Sequence, residues 1–250
     1  MAFDAGLWAL LVLAVIFAGV SKGGFGSGVA FASSSILALV LEPSVAIGVM
    51  LPLLMLMDVS ALKPYWGKWS WADARLLVLG ALPGVALGAL FYTQANPDLF
   101  RLLIGGIALG FVAWQGALRL RLLTIGAQPL PRWAGGLAGI VAGFTSFISH
   151  AGGPPVIVYL LPKGLGKTTF QATTVLVFWL INISKAVPYA MLGIFSRETL
   201  IADLILAPVA VFGVWLGVKA HHLLPERLYF GVTYVALTLT GAKLVFDALT

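Results

Sequence analysis

Residues 5–41 read AGLWALLVLAVIFAGVSKGGFGSGVAFASSSILALVL, two apolar runs joined by a glycine-rich segment that carries a single cation, Lys22. As one helix this stretch would be about 55 Å long at 1.5 Å per residue, far more than a hydrocarbon core of about 30 Å requires. The glycines at 23, 24, 26 and 28 break it in the middle, because glycine lets the backbone leave the helix at little steric cost. Residues 133–162 follow the same plan: an apolar run to Ser149, the break His150-Ala151-Gly152-Gly153-Pro154-Pro155, then a run too short to cross alone. If each stretch is one broken crossing, each half of the chain has four crossings and the halves run parallel. If each goes in and comes back as a hairpin, the halves are inverted.

The rest of the chain fits a lipid solvent. Of 250 residues, 60% are hydrophobic and 10% charged, where a soluble domain carries about 25% charged residues. The mean hydropathy of +1.03 cannot be hidden in a soluble core of this size, because so small a domain exposes much of its surface. The net charge is +6, but the cations sit mainly between apolar runs, which points to topology and lipid head groups and not to nucleic acid. With no cysteine there is no disulfide, thiol chemistry or cysteine metal site. Met1 to Leu11 lacks a basic n-region and carries Asp4, so it does not read as a cleaved leader.

Apolar segments fall at roughly 5–21, 25–41, 44–62, 74–92, 98–118, 133–149, 153–162, 168–189, 199–220 and 225–248. They repeat. Asp58-Val59-Ser60 aligns with Asn182-Ile183-Ser184, the run from Pro83 to Gly88 with that from Pro208 to Gly213, Pro97 with Pro225, and Ser21-Lys22 with Ser149-His150, at offsets of 124 to 128. The expected division is a first membrane repeat at 1–120, a basic cytoplasmic linker at 121–131 and a second repeat at 132–250. Cation placement favours the hairpin alternative. It puts Lys63, Lys68, Arg75, Arg119, Arg121, Arg132, Lys163, Lys167, Lys219 and Arg227 on one face, against Arg101, Arg197 and Lys243 on the other. A single crossing per stretch would split them less sharply. The expected fold is therefore an all-α polytopic membrane protein of two inverted repeats, each a glycine-broken hairpin followed by three transmembrane helices. The cation-rich face is cytoplasmic, and both termini lie outside the cell membrane.

An ionisable residue at membrane depth is functional by default. Lys22, with the backbone N–H groups around Gly23, Gly24, Gly26 and Ser27 and a helix start expected near Gly26 to Val29, makes an electrostatic anion site; a tight turn with a snorkelling lysine is the plainer alternative. Ser149, His150, Gly152, Gly153 and Pro154 hold the matching place in the second half. There Ser146 adds a hydroxyl, and the imidazole offers either proton coupling or a hydrogen bond that only fastens the turn. Two such hairpins meeting near the midplane would bind a small anion. Asp58 and Lys185 lie about a turn inside their helices, toward opposite faces in the inverted arrangement. With Ser60, Gln171, Asn182 and Ser184 they are candidates for the pathway or its gates. Trp66, Trp69 and Trp71 suit an interfacial belt, and Gly80, Gly84, Gly88, Gly213 and Gly217 suit close helix packing.

These residues bring the chain close to a known family. It resembles the sulfite exporter TauE/SafE family of membrane permeases over essentially its whole length. The likeness rests on Lys22-Gly23-Gly24-Phe25-Gly26, on Ser149-His150-Ala151-Gly152-Gly153-Pro154-Pro155, and on the duplicated halves. The first turn departs from the pattern, reading Phe25-Gly26-Ser27-Gly28 where many members have a glycine followed by proline. The resemblance implies transport of small sulfur-containing anions such as sulfite, thiosulfate or organosulfonates, or alternatively of another small organic or inorganic anion, with no enzyme activity and no tightly bound cofactor. Two other classes compete. A serine–histidine hydrolase built on Ser27 or Ser149 with His150 is disfavoured because Ser149 and His150 are sequence neighbours. A cation or metal transporter would need more acids at membrane depth than Asp58 and Asp203.

Overall fold

The computed structural model describes residues 4–25, 30–124, 126, 128–220 and 226–250. Its regular elements are helical, with no strand among the described residues. In chain order the α-helices are α1 (Ala5–Val20), α2 (Ala32–Leu37), α3 (Pro43–Tyr65), α4 (Trp71–Gln94), α5 (Pro97–Arg119), α6 (Arg132–Ser149), α7 (Gly153–Leu160), α8 (Lys167–Met191), α9 (Arg197–Ala220) and α10 (Glu226–Leu249). Seven described helical stretches are long and apolar enough to span a membrane: Ala5–Gly24, α3, α4, α5, α8, Arg197–Lys219 and Phe230–Leu249. Leu79, Leu82, Leu87 and Leu90 on α4 and Leu204, Ile205, Phe212 and Trp215 on α9 are exposed, which lipid tolerates and water does not.

Local chemistry sets the helix ends. The Asp4 carboxylate accepts from the Leu7 amide at 2.7 Å and the Asn96 side chain from the Leu99 amide at 2.8 Å, each satisfying an orphan donor of a first turn. Pro43 and Pro97 occupy first-turn positions, where a missing N–H costs nothing.

Both glycine-broken stretches go in and do not continue as one helix. The first leaves α1 through a π-helical turn, Ser21–Phe25, so Lys22 lies on the extended end of α1. Its return arm is the short α2. The expected helix start near Gly26 to Val29, with the candidate site residues Gly26 and Ser27, lies outside the described residues. The second breaks at His150, which caps α6 in the left-handed conformation (φ 59°). The chain then returns through α7 and a 3₁₀ turn, Leu161–Lys163. Ser33 Oγ donates to the Ala14 carbonyl at 2.8 Å, and Ser34 Oγ lies 2.8 Å from the carbonyls of both Phe31 and Ser149, which share its one proton, so α2 is tied both to α1 and to the other hairpin.

Glycine decides how the long helices meet. A Cβ on Gly84 would stand 2.1 Å from the Ile140 carbonyl oxygen, and one on Gly143 2.2 Å from that of Ala81; α4 and α6 thus touch backbone to backbone. The same seam recurs between α1 and α9, where a Cβ on Gly23 would lie 2.2 Å from the Val214 carbonyl oxygen. The registers match. Gly88 faces Phe147 and Gly213 faces Gly19, pairs whose members differ by 125 (Gly88 to Gly213) and 128 (Gly19 to Phe147) positions in the chain, the offsets seen in the sequence. Along α4 and α6 the contacts advance together, Gly80 to Gly136, then Gly84 to Ile140, then Gly88 to Phe147, so these helices run parallel. α3 and α8 run antiparallel: Gly48 near the start of α3 meets Ile194 beyond the end of α8, while Ser70, beyond the end of α3, bonds Thr173 near the start of α8.

Candidate functional site

Between the two hairpins and the antiparallel pair α3–α8 lies a buried polar network. Lys22 is 3% exposed, Asp58 and Lys185 0%, and His150 7%. The Lys22 ammonium pairs with Asp58 Oδ1 and approaches the Leu54 carbonyl at 3.5 Å. The other carboxylate oxygen, Oδ2, accepts from Asn182 Nδ2 at 2.7 Å. Three residues further along α8, on the same helix face, Lys185 Nζ donates to the Ser146 carbonyl at 3.0 Å and to Ser146 Oγ at 2.9 Å. It also lies 2.8 Å from His150 Nδ1. His150 Nε2 lies 3.1 Å from the Ile47 carbonyl of α3. A carbonyl only accepts, so these partners assign the proton to Nε2 and leave Nδ1 to accept from lysine.

The two halves build this network with roles exchanged. In the first, the hairpin supplies the ammonium (Lys22) and the following long helix its acceptor (Asp58). In the second, the long helix supplies the ammonium (Lys185) and the hairpin its acceptors (Ser146, His150). Two lysines face one carboxylate. Buried charges need partners at hydrogen-bonding distance, since each isolated ion costs several kcal/mol to desolvate, and lysines on interior faces of membrane helices mark substrate or ion pathways.

The other sequence candidates fall in different places. Gly23 and Gly24 lie against the α9 backbone, with a Cβ on Gly24 only 2.3 Å from the Gly217 carbonyl oxygen; close packing accounts for glycine at both. Gly152 is pressed between Ala142 and Phe178. Gly153 is buried and Pro154 half-buried in the first turn of α7, where Pro154 and Pro155 remove two of the N–H groups an anion would use. Ser149 donates to the Thr145 carbonyl at 3.3 Å. Ser60 and Ser184 bond carbonyls of their own helices, Leu56 and Ile181. Gln171 is half-buried on the second turn of α8. Asp58 and Lys185, read from the sequence as lying toward opposite faces where they would line or gate the pathway, are brought into one network through Asn182 and α8.

One cluster had no counterpart in the sequence reading. Asp73 at the start of α4 accepts from Ser70 Oγ at 2.6 Å and from the Tyr159 hydroxyl at 3.2 Å, and pairs with Lys163 at 3.4 Å. It fastens the exit of the second hairpin to α4. Burial alone would pull the Lys163 ammonium down, but Tyr159 and Asp73 more than offset it and hold it above its ordinary value. An Asp73–Tyr159 contact spans 86 residues and has no local periodicity to announce it.

A polar network enclosed by apolar spanning helices defines the class: a multi-pass membrane transporter. The chain belongs to the sulfite exporter TauE/SafE family, whose model matches residues 11–244, and the family is one of membrane anion exporters. No curated protein and no solved structure matches the chain significantly.

Proposed function

We propose that the protein is a secondary transporter of small sulfur-containing anions, sulfite, thiosulfate or organosulfonates, and that the anion binds at the Lys22–Asp58–Asn182–Lys185–Ser146–His150 network. The observation that carries this reading is the convergence of two buried lysines on one buried aspartate where both hairpins meet α3 and α8. An arriving anion competes with Asp58 for Lys22 and supplies Lys185 with the counter-charge that Ser146 and a neutral imidazole do not. Asn182 can keep hold of Asp58 while Lys22 turns to the substrate. A cation in the same place would meet two ammonium groups, which disfavours the cation-transporter alternative.

Antiparallel α3 and α8, equivalent by sequence, support inverted repeats at 1–120 and 132–250, joined by the linker 121–131. Inversion gives the network two related exits, the arrangement alternating access requires. With the cation-rich face cytoplasmic, both termini lie outside the cell membrane. Coupling through His150 would mean protonating Nδ1, which costs the Lys185 hydrogen bond.

The test is uptake of radiolabelled sulfite and thiosulfate into proteoliposomes, with and without a pH gradient. Saturable uptake that Lys22→Ala abolishes in a folded protein supports the site. Unchanged uptake in Lys22→Ala removes Lys22 from it, and absence of uptake of both anions by folded wild type removes the substrate class.

A further inference from the structure

α9 buries an acid that the anion network does not use. Asp203 lies six residues into α9, about 9 Å along the axis from Arg197. It is 6% exposed, and among the described residues neither Oδ1 nor Oδ2 has a hydrogen-bond partner. The buried ionisable groups of the network all have partners: Lys22 has Asp58, Asp58 has Asn182 as well, Lys185 has Ser146, and His150 has Ile47. A carboxylate stripped of water with no donor to replace it is among the costliest groups to bury. A neutral carboxylic acid is far cheaper.

Among the described residues, the elements packed on α9 offer no free charge to pair with it. α9 packs on α1, on the Ser21–Phe25 turn and on α3. The first two carry no ionisable side chain between Asp4 and Lys22, and α3 with its cap carries none between Glu42 and Asp58. Lys22 and Asp58 are engaged with each other. Beyond Asp58, α3 has Lys63 and Tyr65 in its last turn, toward the far end. On α9 itself Arg197 and Glu198 stand at the first turn, and Lys219 in the last turn lies 4.0 Å over the Trp215 ring. Yet the helix that holds Asp203 touches both segments that hold the ion pair, the turn with Lys22 and the helix with Asp58.

We propose that Asp203 is the proton-binding site that couples transport to a pH gradient; this rests on the transporter reading above. While α9 is docked on α1 and α3, the carboxyl keeps its proton. When those helices part and water reaches the group, the O–H bond breaks, the proton passes to water, and the carboxylate is hydrated. Docking again requires a proton to be taken up. Movement of α9 against the Lys22 turn and α3 thereby ties one proton to each opening and closing of the anion network.

Two measurements on the full-length protein in lipid test this. In difference infrared spectra, wild type at neutral pH is expected to show a carboxylic-acid carbonyl band that Asp203→Asn removes; identical spectra would overturn the proposal. Asparagine mimics the neutral acid, so the variant is expected to fold, and Asp203→Glu is expected to restore the band if it does not. In proteoliposomes the probe is methanesulfonate, a strong-acid anion that carries no proton of its own. Wild type is expected to be accelerated by an inward proton gradient. Asp203→Asn is expected to keep the ungraded rate and lose the acceleration, whereas retained acceleration overturns the coupling. If wild type moves neither methanesulfonate, sulfite nor thiosulfate, the substrate reading fails by itself, and the infrared band still decides whether Asp203 holds a proton.

Discussion

Replacing Asp58 by alanine leaves the Lys22 ammonium buried with, among the described residues, only the Leu54 carbonyl at 3.5 Å. At an effective dielectric constant near 20, a pair of charges about 4 Å apart attracts by about 4 kcal/mol. Removing one member of a buried pair costs about 3–5 kcal/mol, because the survivor keeps its desolvation penalty. Asp58→Ala also strands the Asn182 amide, which donates to Oδ2 at 2.7 Å, for about a further 1 kcal/mol. The expected total of about 4–6 kcal/mol is a large share of the stability of a small domain. Lys22→Met alone should cost about as much for the mirror reason. The double variant Lys22→Met/Asp58→Leu replaces the pair by apolar groups of similar volume and should recover most of the loss. Unfolding in mild detergent, followed through intrinsic tryptophan fluorescence, gives the four corners of the cycle. A coupling energy below about 1 kcal/mol would refute the pairing. The double variant also separates stability from transport: it should fold and move no anion, and a folded double variant with normal flux would show that the pair only holds helices together.

Gly139→Val would place a Cβ 2.3 Å from the Leu77 carbonyl oxygen and should abolish folded protein in size-exclusion chromatography, whereas Gly136→Ala, with nothing near its Cβ, should elute as wild type. His150→Gly relieves a left-handed backbone worth about 1 kcal/mol but deletes the bonds to Lys185 and Ile47, each worth about 1 kcal/mol; a melting point lower than wild type with loss of uptake is the expected pair of results. Lys163→Ala breaks a partly exposed ion pair and should cost no more than about 1 kcal/mol, while Asp73→Ala also strands Tyr159 and Ser70 and should cost clearly more in the same unfolding assay.

Much of the fold was written where backbone needs are local. The two hairpins follow from glycine- and proline-rich breaks that permit few alternatives, and the repeat shows in Asp58 against Asn182 and Pro83 against Pro208. The seams at Gly84 and Gly213 were legible as small residues at helical spacing. The pairing inside the site was not. Lys22 meets Asp58 36 residues away, and Asp58 meets Asn182 124 residues away; nothing local distinguishes an acid that faces a lysine across a bundle from one that lines a vestibule. Gly23 and Gly24 have a second role that the sequence did not announce, since their absent side chains also admit the α9 backbone. Tyr159 carried no cue, because a tyrosine amid apolar residues reads as packing until its hydroxyl finds Asp73.

The glycine seams interlock the two halves. α1 belongs to the first half but lies against α9 of the second, and α6 of the second lies against α4 of the first. While these contacts hold, the body they bind together is assembled from both halves, and neither half alone can close its own seam. Synthesis imposes an order on this exchange of arms. Asp58 follows Lys22 by 36 residues, so the charge on the first hairpin can be neutralised early. Gly213, which receives Gly19, follows it by 194 residues (213 − 19). Until Gly213 is made, the glycine face of α1 has no α9 to receive it, so this seam can close only when nearly the whole chain has been synthesised.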